Sequence, residues 1–167
     1  AVLAPGLTLA AEHPLDPLSA EEITAATAAL KTDANLADAA IPVVTLDEPT
    51  KEAVLAWRPG QPVPRRARVL AMKGRSVHEV LVDLDAKRIV ETTERAGVEA
   101  PLMLSEQIEG IKVALEHPGF QEGLKKRGVT DLEKVFCAPF AAGYYGIAEH
   151  EGRRLLKVGC FDTRKST

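Results

Sequence analysis

The sequence predicts an α+β fold made twice over: two consecutive domains, each a helix packed on an antiparallel sheet, the second incomplete. Three observations lead there. A capping box opens one helix near the start, and the hydrophobic period then switches from 3.6 to 2 over several segments joined by short turns. After Ala100-Pro101 the same order, helix and then strands, begins again. Alternating segments with short connections pair as antiparallel neighbours, and their apolar face needs a helix to cover it.

Residues 1–12 are a lead-in: Ala1–Ala11 is apolar but has no charged flank and is broken by Pro5-Gly6. The first domain is expected over 13–99. His13-Pro14-Leu15-Asp16-Pro17-Leu18 is rigid and not helical. In Ser19-Ala20-Glu21-Glu22 the Ser19 hydroxyl caps a backbone N–H and Glu22 reaches back. The helix runs to about Lys31, with Ile23, Ala26, Thr27 and Leu30 on one face, and a polar, Ala-rich loop follows over 32–40. A short strand at Val43–Asp47 ends before Pro49. A helix at 50–57 is stopped by Trp57-Arg58-Pro59-Gly60, and 59–64 is a Pro-rich turn. Strands are expected at Arg66–Lys73, Val77–Leu84 and Arg88–Arg95, with Gly74-Arg75 and Asp85-Ala86-Lys87 at the hairpin turns.

The second domain is expected over 100–167. A helix spans Leu104 to about Glu116, with Ile108, Ile111, Val113 and Leu115 among its apolar positions, and His117-Pro118-Gly119 breaks it. A further helical stretch, Phe120–Arg127, ends at Gly128, a residue suited to the position after a helix. Strands follow at about 133–142 and 153–162. An unfinished sheet would leave an open edge and an uncovered helix face, so the sequence reads as part of a longer polypeptide.

Composition narrows the function classes. Hydrophobic residues make up 46% and charged residues 27%, which suits a folded chain, and aromatics are only 4%, so the cores must be aliphatic. A net charge of −3 gives no basic stripe for nucleic acid, and Lys125-Lys126-Arg127 complements a helix C-terminus instead. No run of 18 apolar residues offers a membrane span. The four histidines, His13, His78, His117 and His150, are not paired at the spacings that place two metal ligands together. There is no GxSxG, Walker or GxGxxG motif. Glu21/Glu22 and Asp47/Glu48 read as caps and solvated surface. The sequence therefore predicts neither catalytic residues nor a bound metal in this chain.

Cys137 and Cys160 lie on the two strands of the last hairpin. If its connection is centred near Ala148-Glu149, the two fall opposite each other, close to disulfide reach. Two buried free thiols are the alternative.

Taken in order, these segments resemble one family, the copper- and quinone-containing amine oxidases. His13-Pro14-Leu15-Asp16-Pro17-Leu18-Ser19 ahead of Glu21-Glu22-Ile23 looks like the opening of the family's first conserved domain. Val44-Thr45-Leu46-Asp47-Glu48-Pro49-Thr50-Lys51 is similar to its "TLxEPxK" strand exit, and Leu81-Val82-Asp83-Leu84 with Ile89-Val90 to its "VDL…VV" hairpin. Pro101-Leu102, His117-Pro118 with Phe120-Gln121, the stretch Val135–Gly143, and Gly152-Arg153-Arg154-Leu155 match in the second domain.

The resemblance implies two cystatin-like domains, N2 and N3, ahead of a C-terminal catalytic domain in a homodimeric enzyme. That domain holds copper on three histidines and topaquinone formed from a Tyr in an Asn-Tyr-Asp/Glu motif. The enzyme converts primary amines, O₂ and water to aldehyde, ammonia and hydrogen peroxide. Here the only Asn is Asn35, followed by Leu36, and no His-x-His pair exists, so copper and quinone are expected in the parent enzyme and not in this chain. The resemblance further assigns Pro139, Phe140 and Ile108 to one wall of the amine channel. Relatives with Asp-Pro-Trp differ from Ala138-Pro139-Phe140 there, which leaves the preferred amine open. Cysteines similar to Cys137 and Cys160 occur in some plant relatives, and a bond between them would favour the periplasm or the exterior. The competing reading is a free-standing cystatin-like binding module, but the Gln-x-Val-x-Gly loop such an inhibitor uses is missing from the sequence.

Overall fold

The computed structural model describes residues 11–143 and 145–164. Most of the expected lead-in, and Tyr144 in the last hairpin connection, lie outside the described residues. The chain divides into two compact units between Ala100 and Pro101.

In the first unit, helix α1 (Ala20–Lys31) starts from the expected cap. The Ser19 Oγ accepts from the Glu22 N–H at 3.2 Å, and the Glu22 carboxylate accepts from the Ser19 N–H at 2.8 Å. Four strands, β1 (Ala40–Leu46), β2 (Arg66–Lys73), β3 (Ser76–Asp83) and β4 (Arg88–Arg95), lie in the order β1-β2-β3-β4, every pair antiparallel. A short helix α2 (Lys51–Ala56) links β1 to β2. The β2–β3 turn uses Gly74 at φ +59, a conformation that costs a glycine little.

Helix α1 lies on one sheet face. Leu30, Val69, Val80 and Val82 are fully buried, and Ala26 and Ala29 pack in the same cluster as Ala67 and Ala71. Alanines on both elements let the backbones approach, so the helix docks on Ala26, Ala29 and Leu30. The expected face is turned: Ala29 is buried, whereas Ile23 is 39% exposed.

The second unit contains α3 (Leu104–Glu116), α4 (Pro118–Lys126) and a two-stranded antiparallel sheet of β5 (Val135–Ala141) and β6 (Leu156–Asp162). Helix α4 begins at Pro118, earlier than the expected Phe120. Proline is at home in the first turn, where its missing N–H has no partner to lose. The helix closes through Gly128 at φ +71, whose N–H reaches Lys125 O while the Val129 N–H reaches Leu124 O, both at 2.9 Å. The strands are shorter than expected because residues 132–134 form a 3-10 turn and 153–155 precede the ladder.

Candidate functional site

The register of β5 and β6 sorts the candidate residues. Val135 pairs with Asp162, Cys137 with Cys160, Pro139 with Val158 and Ala141 with Leu156. Leu156 and Val158 face α3, because a Cβ added to Gly110 of that helix would meet both side chains, Leu156 Cδ2 at only 2.1 Å. Directly paired residues share a face and neighbours alternate. Pro139, Cys137 and Cys160 therefore stand on the α3 side of the sheet. Phe140, paired with Lys157, stands on the opposite side.

The Cys137 and Cys160 sulfurs are bonded, at 2.06 Å, and Cys137 is 8% exposed. The bond ties β5 to β6 beneath α3, in the strand that carries Pro139 and Phe140. Phe140 is 55% exposed and Ile108, on α3, is 58% exposed, so neither is spent in the core of this unit. The structure thus places Pro139 and Ile108 on the helix side of the sheet and Phe140 across it. On the helix side an open groove of about 810 Å³ runs between α3 and β6, lined by Gly110, Val113, Phe120, Leu156 and Val158 among others and by none of the three candidates.

One arrangement went unread in the sequence. The Arg154 guanidinium donates to both Glu106 oxygens at 2.8 Å and to Pro101 O at 3.0 Å, while Glu106 accepts from the Met103 N–H at 2.8 Å. Arg65 does the same in the first unit. It donates to the two Glu22 oxygens at 2.7 and 3.0 Å, and to Asp16 O and Pro17 O at 2.9 and 3.1 Å. Each clamp fixes the chain that enters a helix to the segment that leads into a strand. Arg154 holds the Glu106 carboxyl down at about 2, and Arg65 likewise holds Glu22 below its ordinary value. These residues build the frame of the two units.

No group of three His, Cys, Asp or Glu side chains suited to a metal occurs among the described residues. His13 accepts from the Leu15 N–H at 3.1 Å and meets Trp57 edge-on at 5.1 Å, His78 lies on β3, His117 caps α4, and His150 sits in a 3-10 turn. Among the described residues these four side chains do not come together as a copper centre would need.

The repeated clamp and the repeated helix-over-sheet order define a tandem α+β pair. Residues 13–94 match the family description "Copper amine oxidase, N2 domain", and residues 105–167 match "Copper amine oxidase, N3 domain". The chain belongs to the copper amine oxidase family and carries its N2 and N3 domains. It is 35% identical over 160 residues to amine oxidase [copper-containing] gamma 1 of Arabidopsis thaliana, a match covering 93% of this chain and 22% of that protein. A primary amine oxidase of Klebsiella aerogenes is 34% identical over 152 residues, covering 87% of this chain and 20% of its own length. A copper-containing benzylamine oxidase from Hansenula polymorpha superposes with a TM-score of 0.72 at 19% identity, over 92% of this chain and 26% of that one, which shows the shared fold. The chain thus spans about a fifth to a quarter of the proteins it matches.

Proposed function

We propose that this chain is the non-catalytic N2–N3 region of a copper- and topaquinone-dependent primary-amine oxidase. Its two units have the cystatin-like arrangement, pack on the catalytic domain of their own polypeptide in a homodimer, and furnish one wall of its amine channel. The parent converts a primary amine, O₂ and water to aldehyde, ammonia and hydrogen peroxide. Copper and quinone supply the oxidation there, and this chain's residues do not hold them. What they supply is an apolar surface on a stiff support. Phe140 carries the reading: its ring is more than half exposed beside two other exposed phenylalanines on the sheet face away from α3, and Ile108, across the sheet on α3, is the second apolar candidate. Pro139 fixes φ immediately before Phe140, and the Cys137–Cys160 bond anchors the same strand. A channel wall must be apolar enough to favour the tail of an amine over water, and rigid. The disulfide also favours a periplasmic or extracellular parent.

The test is copper loading under air of the full-length parent and of the 167-residue chain. The parent should develop a quinone absorption band and release peroxide from a primary amine. The chain alone should stay colourless, and a quinone band in it would sink the assignment.

A further inference from the structure

The second unit displays an aromatic stripe that its own core does not use. On the side of the sheet away from α3 stand Phe136, Ala138 and Phe140 from β5 and Lys157, Gly159 and Phe161 from β6. Phe136 and Phe161 are direct cross-strand partners, and their rings stack with centroids 6.5 Å apart. Gly159 forms the floor. A Cβ there would lie 3.8 Å from Phe140 Cε2 and 3.9 Å from Phe161 Cε2, so both rings lean over bare backbone. With only a methyl at Ala138, its partner, the three rings join across the two strands. They are 60%, 55% and 57% exposed, which amounts to on the order of 300 Å² of apolar ring surface. A patch of that size on a monomer is commonly functional. The chain has four phenylalanines in all, and three of them sit on this one face.

We propose that Phe136, Phe161 and Phe140 form the face by which this unit docks onto the catalytic portion of its own polypeptide. The occupant rests on the parent-enzyme reading above, and two observations favour it. The matched stretch is only 22% and 20% of the length of the Arabidopsis and Klebsiella enzymes, so most of each relative lies beyond these two domains. The patch is also too small for a second copy, because a stable interface between separate molecules buries about 800 Å² per partner. A tethered partner is already present at high effective concentration and needs less area. Phe140 at one end of the stripe is the proposed channel-wall residue, so the same face meets both the catalytic portion and the substrate path.

Phe136→Ser and Phe161→Ser, singly and together, test this in the full-length parent and in the 167-residue chain. In the parent the double variant should lower Tm by about 5 °C or more. In the chain alone the change should stay within about 2 °C, the loss of one exposed cross-strand pair. An equal fall in both would mean that the rings stabilise the unit itself, and no fall in either would mean that nothing docks there. Concentration-dependent sedimentation of the chain that the substitutions abolish would assign the face to a second copy. Each of these three results overturns the proposal. Amine turnover by the unsubstituted parent is read separately: its absence would sink the oxidase reading and leave the docking result standing.

Discussion

Glu106 does for α3 what Glu22 does for α1. Each is the third residue of its helix, each accepts from the backbone N–H at the helix entry, and each carries a bidentate arginine from the segment before a strand. The helix entries repeat in sequence as well: Pro17-Leu18 stands before Glu22 at the spacing of Pro101-Leu102 before Glu106. The arginine ties the proline carbonyl to the carboxylate, so helix start and strand entry are fixed together in both units.

The second clamp gives a pH dependence with a defined sign. Glu106 is held at about 2, below its ordinary value of 4.5, by the hydrogen bonds of Arg154. A depressed carboxyl adds stability that is complete above the unfolded value and is lost as pH falls through the folded one, here between about 4.5 and 2. Side chains 29% and 21% exposed are partly screened, so about 1–2 kcal/mol is at stake. Glu106→Gln keeps the cap but loses the charge. Urea melts should show the variant weaker at pH 6, with the gap closing toward pH 2. A gap that holds constant with pH would refute the assignment.

Arg65 should matter more than any surface charge. It is 6% exposed and gives its hydrogen bonds to Glu22, Asp16 and Pro17. Arg65→Met takes the donor from two carbonyls and leaves the 22%-exposed Glu22 carboxylate only its Ser19 N–H, so the loss should be about 1–3 kcal/mol. Glu22→Met in the same background should recover part of the loss, because the stranded charge goes with it. Lysine should not restore the fork. A single-site loss below 1 kcal/mol in urea melts would contradict the clamp.

What the sequence made legible was local. The capping box at Ser19 and the period-2 runs placed α1, β2 and β4, and Arg66–Lys73 and Arg88–Arg95 fall where periodicity put them. The start of β1 was hidden, because Ile41-Pro42 falls where the register with β2 shifts, between Ala40 and Val43. Arg65 follows the Pro-rich turn and meets Glu22 from 43 residues away, beyond the reach of any local pattern. The repeated Pro-Leu-x-x-x-Glu was visible and was the signal for it. The aromatic stripe was also within reach, since the register that pairs Cys137 with Cys160 sets Phe136 opposite Phe161.

The disulfide should be worth about 3 kcal/mol, the chain-entropy estimate for closing a loop between cysteines 23 residues apart. Thiol titration of unfolded, unreduced protein should find no free thiol. Reduction, or Cys137→Ala with Cys160→Ala, should lower the melting point of the second unit and leave that of the first in place, because both cysteines lie beyond Pro101. Two titratable thiols per chain would refute the bond.

Phe140 is where this chain should touch substrate choice. Its ring is 55% exposed at the end of a strand, preceded by Pro139 and leaning over Gly159, so it is held without being buried. Ile108, 58% exposed on α3, is the second apolar candidate for the wall. Such a wall touches the tail of the amine and not its reacting nitrogen, so it alters discrimination between amines by about 1–3 kcal/mol and leaves the chemical step alone. In the full-length parent, Phe140→Ala should change the ratio of kcat/KM for a bulky aromatic amine to that for a small aliphatic one by about tenfold or more, while kcat for the best small amine moves little. Tm should fall by no more than a few degrees, because Phe140 is one ring at the end of the docking stripe and adds little to the core of this unit. An unchanged ratio together with a large fall in Tm would make Phe140 a packing residue and remove it from the channel.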